Sequence, residues 1–320
     1  MPDNLKNDAA DVLEKFVLEL VKEQKSKRRW GIFFKFIFLG LLLILMWGFV
    51  PWNSISFPHK NLNSRASHPS QVAKINIYGE IAATSEANAS DTIDALDEAV
   101  KDKNIQAVIL DINSPGGSPV QASYIYNELR RLEKLYPQIK FDAVCEDVCA
   151  SAAYYIASSA QNIYANPTSL VGSIGVLLDS FGFVDTLKKI GADRRLYTAG
   201  KYKGLLDPFS PVNPDALGFI QQLLNDDHAI FINDVKTARG SRLSNDPNLF
   251  TGLIWNGIGA KKLGLTDGFG SVADIARIKY HSDDIVDFTI KKSFFEQLSS
   301  QFSASFWHHV RTEFFTAKLS

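Results

Sequence analysis

From residue 72 onward the chain alternates short apolar runs with longer amphipathic segments. Residues 73–78 alternate apolar and polar side chains with a period of two, and 106–112 is a β-branched run suited to a buried strand. Further strand-like stretches follow at 141–145, 162–165 and 175–178. Between them, 91–103 reads as a helix capped by Ser90 or Asp91, and 120–135, 151–159, 181–190 and 214–236 are also helical in spacing. Strands alternating with helices of this length predict βαβ units around a mainly parallel sheet, an α/β domain over residues 72–280.

The pattern upstream is different. Residues 31–50, GIFFKFIFLGLLLILMWGFV, are almost uninterruptedly apolar. Twenty helical residues at about 1.5 Å each span about 30 Å, the thickness of a bilayer core. Lys35 lies one turn inside, where its stem reaches the headgroups, and Trp30, Trp47 and Trp52 suit the two interfaces. A cleaved signal peptide fits poorly, because the charged region ahead is too long and Pro51-Trp52-Asn53 offers no small-residue cleavage site. Lys22, Lys25, Lys27, Arg28 and Arg29 crowd the near flank, whereas Lys60 and Arg65 are the nearby cations on the far side. The bias predicts a single-pass anchor with residues 1–30 in the cytoplasm and everything beyond about 51 outside. Within 1–30, apolar positions of 11–23 share one helical face, the mark of a short amphipathic segment. Residues 51–71 read as a linker. At the other end 281–320 is expected to be a helical extension, with Phe294, Leu298, Phe302, Phe306, Val310 and Phe314 four apart.

Composition narrows the partners. The 320 residues are 46% hydrophobic and 22% charged, with a net charge of −1, so the chain is globular and nucleic acid is not an expected partner. The two cysteines, Cys145 and Cys149, are too few for a disulfide framework and are expected as buried free thiols. No motif calls for a metal or a cofactor.

The candidate chemistry lies at the ends of the predicted strands. Ser114-Pro115-Gly116-Gly117 leads from one strand into a helix, and its glycines permit a tight turn and a close backbone approach. After the next strand comes Cys149-Ala150-Ser151-Ala152-Ala153, a serine among small residues where a helix begins. Two strand-end turns side by side put unpaired N–H groups beside a hydroxyl, the arrangement of an oxyanion hole next to a nucleophile. A serine nucleophile needs a base. His59 and His68 fall in the linker, His308 and His309 in the tail, His228 in a mid-helix charged run expected to face solvent, and His281 in another charged stretch. None marks a triad. The alternative is a lysine, neutral when burial lowers its pKa. Gly200-Lys201-Tyr202-Lys203 offers two, and Gly172-Ser173-Ile174-Gly175 supplies a second hydroxyl to steer one.

Taken together, these segments resemble the signal peptide peptidase SppA family, whose fold is that of the Clp protease/crotonase group. The matching pieces are Asn113 to Gly117, Ala150 to Ala157, Ala165-Asn166-Pro167 with Gly172 to Val176, Gly200 to Lys203 with Pro208-Phe209, and Gly257 to Gly270, in the family's order over about 73–275. The resemblance implies Ser151 as nucleophile and Lys203 as general base. It also implies Gly117 and Ala152 N–H groups as oxyanion donors and Ser173 as a hydrogen-bond partner of Lys203. It implies a short, single-repeat endopeptidase acting on cleaved signal peptides and other short hydrophobic peptides, with no cofactor. Such enzymes form ring- or dome-shaped homo-oligomers, in which the lysine can face a neighbour's serine. With the anchor contacting lipid through 31–50, the expected location is the bacterial cytoplasmic membrane, with the catalytic domain on its outer side. The chain departs from the family where Ala152-Ala153 replaces Gly-Gly, at Gly204 where relatives carry a polar residue, and at Leu265-Thr266-Asp267 for the usual Leu-Val-Asp. A non-catalytic scaffold or a crotonase-like acyl-CoA enzyme on the same fold are the alternatives; an exported domain disfavours the second, because CoA is cytoplasmic.

Overall fold

The computed structural model of the chain describes residues 35–41 and 70–291. The chain divides into two compact units, Met1–Arg65 and Ala66–Ser320. In the first, residues 35–41 are helical. The remainder of the expected anchor, the amphipathic segment 11–23, nearly all of the linker and the aromatic stripe of the tail lie outside the described residues. Among the described residues no helix is long and apolar enough to cross a membrane.

The second unit is built on a mainly parallel mixed sheet. Its first half runs β1 (Gln71–Tyr78), α1 (Ala89–Lys101), β2 (Ile105–Ser114), α2 (Pro119–Leu135), β3 (Lys140–Ala150), α3 (Ala152–Ser158), β4 (Asn162–Ala165) and β5 (Leu170–Gly172). Then come α4 (Val184–Lys189), α5 (Pro214–Arg239), a 3-10 turn at Gly240–Arg242, β6 (Ile254–Asn256), α6 (Gly257–Lys262), β7 (Gly268–Phe269), α7 (Val272–Tyr280) and β8 (Ile285–Asp287). The strand order is β6-β5-β3-β2-β1-β8, with β4 beside β3 and β7 beside β4. Every pairing is parallel except β5 with β6.

The two-residue period of the strands sorts their side chains onto two faces. Ile75, Ile77, Val108, Leu110 and Ile112 join the larger core with Leu96, Ile125, Leu129 and the α3 side chains. Val72, Ala107, Ile109 and Val144 face the other way, onto Val272, Ile275 and Ala276 of α7. The first helix starts earlier than expected, and its cap is Asn88, which accepts from the Asp91 N–H, rather than Ser90 or Asp91; Ser118 and Asn213 each precede a proline at the first turn, and Ser271 forms a reciprocal box with Asp274.

β3 positions the site. Cys145 is the partner of Ile112 and Cys149 that of Ser114, so Glu146-Asp147-Val148 bulge opposite Asn113 alone. The Asn113 amide staples the bulge, donating to Asp147 Oδ2 at 3.1 Å and accepting from the Val148 N–H at 3.2 Å. Beyond the bulge the strand exchanges β4 for β5 as its neighbour and delivers Ser151 at its end. The strand is thus longer than the apolar run 141–145, because polar bulge residues hide its continuation.

Three more elements differ from expectation. The strand foreseen at 175–178 is absent; the paired segment is Leu170–Gly172, just before it. The helix foreseen at 181–190 shrinks to Val184–Lys189, with no buried residue to reward its extension. Residues 285–287, inside the stretch expected to be helical, instead add β8 to the edge of β1.

Candidate active site

Ser151 joins β3 to α3 with φ 55° and ψ −124°, a region that non-glycine residues rarely occupy and that costs about 1–3 kcal/mol. Two hydrogen bonds hold it there. Its N–H donates to the Gly172 carbonyl at 2.8 Å, and its carbonyl accepts from the Tyr155 N–H at 2.9 Å. The side chain makes no capping bond, so the hydroxyl of this half-buried serine is not used to finish the helix. Behind it every side chain of α3 is buried. The Tyr154 hydroxyl donates to the Leu265 carbonyl at 2.9 Å, and the Tyr155 ring stacks on Phe231 at 4.7 Å.

The glycine turn after β2 lies directly against this serine. A Cβ on Gly116, whose φ is 109°, would sit 2.8 Å from Ser151 Cβ and 3.1 Å from the Ala152 nitrogen. On Gly117, with φ 144°, it would fall 2.2 Å from the Ile81 carbonyl oxygen. Ile81 donates to the Gly116 carbonyl at 2.8 Å and accepts from the Ser118 N–H at 2.7 Å, forming a parallel bridge with Gly117. In such a bridge the central residue's own N–H faces away from its partner. The Gly117 N–H therefore points off Ile81, and the Ala152 N–H heads a helix, where no intrahelical acceptor exists. Two donors on abutting turns beside an uncommitted hydroxyl are suited to holding the negative oxygen of a tetrahedral acyl intermediate.

Ser173, at φ 52°, follows the glycine that accepts from Ser151, and its N–H donates to the Leu253 carbonyl at 2.7 Å. It is half-buried, and no described residue hydrogen-bonds its hydroxyl. The structure thus brings Ser151, Ala152, Gly116, Gly117, Gly172 and Ser173 together in one chain. It does not bring Lys203 to them. Lys203 is exposed, its N–H donates to the Gly200 carbonyl at 3.1 Å, and among the described residues its ammonium has no hydrogen bond or ion pair. Lys201 is committed elsewhere: its Nζ lies 3.3 Å from Asp215 and over the Tyr202 ring. Tyr202 and then Asp215 hold that ammonium above its ordinary pKa, the opposite of what a general base needs.

Sequence reasoning passed over three participants. Gly116 is the residue whose lack of a side chain lets the two turns meet, and Gly172 supplies the acceptor that fixes Ser151. His228 does not lie on a solvent face; it is half-buried, with Nε2 3.1 Å from the Ile174 carbonyl. A glycine flanking a strand end was the one available signal for the first two. Cys145 and Cys149 are free and buried, and burial followed by the nearness of Cys149 pushes the Cys145 thiol well above its usual pKa. Among the described residues no cluster of histidine, cysteine or carboxylate side chains is disposed to hold a metal.

The model of peptidase family S49 matches residues 134–283. A putative protease of Synechocystis sp. is 30% identical over 210 residues, which cover 66% of this chain and 73% of that one. A putative signal peptide peptidase SppA of Enterococcus faecium is 26% identical over 231 residues, covering 70% and 66%. A Brucella melitensis protein named Na(+)/H(+) antiporter NhaA is 46% identical over 189 residues, or 59% of this chain. The match spans only 26% of that protein's length.

Proposed function

The chain belongs to peptidase family S49, and from that premise we propose that it is a membrane-anchored serine endopeptidase in which Ser151 is the nucleophile and Lys203 the general base. The observation that carries the reading is Ser151 itself, a strained residue that packs against Gly116 and whose hydroxyl makes no hydrogen bond among the described residues. Lys203 Nζ, unprotonated, takes the Oγ proton as Oγ attacks the peptide carbonyl. The carbonyl oxygen becomes an oxyanion on the Gly117 and Ala152 amides. As the C–N bond breaks, the Lys203 ammonium returns the proton to the departing amine, leaving an acyl-serine. Water, deprotonated in turn by Lys203, hydrolyses that ester and restores Ser151.

A lysine must be desolvated to lose its proton near neutral pH. Lys203 is exposed in the single chain, on a segment whose apolar side chains are exposed too. Leu177 is 81% exposed, Phe181 77%, Ile190 71% and Tyr197 88%. Monomeric proteins rarely leave such a surface uncovered. We read it as the contact with a second copy, so that assembly into a closed ring or dome buries Lys203 beside a neighbour's Ser151 and Ser173. The anchor is residues 31–50, with the peptidase unit on the outer side of a bacterial cytoplasmic membrane. The substrates are cleaved signal peptides and other short hydrophobic segments, which a membrane-tethered enzyme meets where they are released.

Ser151→Ala and Lys203→Ala each abolish cleavage of a hydrophobic fluorogenic peptide, by roughly 1,000-fold or more. A serine-directed phosphonate labels the wild type at Ser151 and fails to label Ser151→Ala. Full activity in either variant sinks the dyad, and an unlabelled wild type favours a non-catalytic scaffold.

A further inference from the structure

Lys203 rides on an arm that joins the body at one place. After Ile174, which is completely buried, the chain leaves the core, and it does not pack back until the middle of α5. Between residues 175 and 227 only Ala216 is buried. The arm is nevertheless ordered internally. The Phe183 N–H donates to the Pro208 carbonyl at 2.7 Å, the Phe183 and Phe209 rings stack at 5.5 Å, and Arg194 pairs with Asp207 at 3.4 Å. Such a segment moves as a piece, and its reach is set by its neck.

The neck has two strands of chain, and one hydrogen bond ties them. On the outgoing side Ser173 is fixed by its N–H to the Leu253 carbonyl, and Gly172 accepts from Ser151. On the returning side α5 docks on the nucleophile helix. Phe231 stacks on Tyr155, the Tyr155 hydroxyl bonds the Asp234 carboxylate, and the Tyr126 hydroxyl donates to the Asp234 carbonyl at 3.1 Å. His228 lies one turn before Phe231 on the same face of α5, where that docking ends. Its Nε2 meets the Ile174 carbonyl at 3.1 Å, across 54 residues of sequence. A carbonyl only accepts, so this nitrogen carries the proton.

We propose that His228 is a positioning residue, whose hydrogen bond to the Ile174 carbonyl closes the neck of the 175–227 arm and fixes where Lys203 is carried. Both ends of this bond connect to the serine through short rigid links, one through Gly172 and Ser173 and the other through Phe231 and Tyr155. Loss of the bond leaves the serine, its oxyanion donors and the core in place, and loosens only the delivery of the base. The proposal rests on the reading of Lys203 as that base.

The test uses the full-length chain in its membrane or detergent-solubilised form, as wild type, His228→Ala, His228→Gln and Lys203→Ala. Glutamine extends an N–H donor to nearly the same distance as Nε2. Three results are expected of His228→Ala: kcat on the fluorogenic peptide falls at least fivefold with KM within about twofold, the melting temperature stays within a few degrees, and amide exchange over 176–213 quickens. His228→Gln regains most of kcat and of the exchange protection. An unchanged kcat in His228→Ala overturns the proposal. So does a fall in kcat matched by a fall in melting temperature and not relieved by glutamine, because that marks a purely structural residue. Full activity in Lys203→Ala instead overturns the reading of the base, whereas the exchange measurement reports on the neck whichever residue is the base.

Discussion

Gly117 has no room for a side chain. Alanine there would drive a Cβ to 2.2 Å from the Ile81 oxygen and hold an L-residue at a φ of 144°. The turn would have to shift, and its N–H with it. If that N–H holds the oxyanion, Gly117→Ala lowers kcat by about 100- to 1,000-fold with a smaller change in KM, and steady-state kinetics on the fluorogenic peptide measure the split. An unaltered kcat removes Gly117 from the oxyanion hole. Ser151 stores strain of a related kind, and its two backbone hydrogen bonds, to Gly172 and Tyr155, maintain it. The carboxylate of Asp267 is fixed by a different balance. Burial works to raise it, but the bidentate Arg239, which is fully buried, holds it below its ordinary pKa and ties the 264–267 turn to the end of α5.

At the scale of the element, β3 is the decisive piece, because one bulge lets it serve two neighbours. The bulge also carries a titrating contact. Burial, then the nearby Asp111 carboxylate, pushes the Glu146 carboxyl above its ordinary value of 4.5. Asp111 Oδ1 is buried and accepts from no described donor. Lys74 stands 3.9 Å from Asp111, and the Tyr78 hydroxyl donates to it at 2.7 Å; Asp147 and Asp287 complete the charged surroundings. The folded chain holds the Glu146 proton more tightly than the unfolded chain does. The stability this confers is full below the ordinary glutamate pKa and is lost as pH rises through the raised one. Glu146→Gln keeps a donor and removes the titration. Thermal melts between about pH 4 and 8 are expected to find the variant gaining on the wild type as pH rises, and parallel melting curves would show that the Glu146 carboxyl is not raised.

At the scale of the whole molecule, one chain holds the proposed nucleophile, oxyanion donors and supporting hydroxyl in place, and leaves the proposed base on an exposed apolar arm. A second copy that supplies the lysine predicts complementation. Ser151→Ala and Lys203→Ala subunits, each inactive alone, recover activity when assembled together in equal amounts. Random mixing pairs an intact serine with a neighbour's intact lysine in about a quarter of sites. No recovery from verified mixed assemblies places serine and lysine of each site in one chain.

The α/β alternation, the glycine turn after β2 and the small-residue serine turn after β3 were legible along the chain, because periodicity and turn chemistry belong to residues adjacent in sequence. The family resemblance that set Lys203 apart from Lys201 rests on the same local motifs. The tertiary structure decided what those motifs do together. The bulge that extends β3 past two acidic residues is set by Asn113 on the neighbouring strand, and the backbone of Ser151 by a carbonyl at the end of another strand. The approach of Gly116 and Gly117 to the serine depends on Ile81 in the first connection, and the contact that turned His228 inward on Ile174. Each joins residues distant in sequence, and the hydrogen bond or steric limit that fixes it exists only once the sheet has assembled.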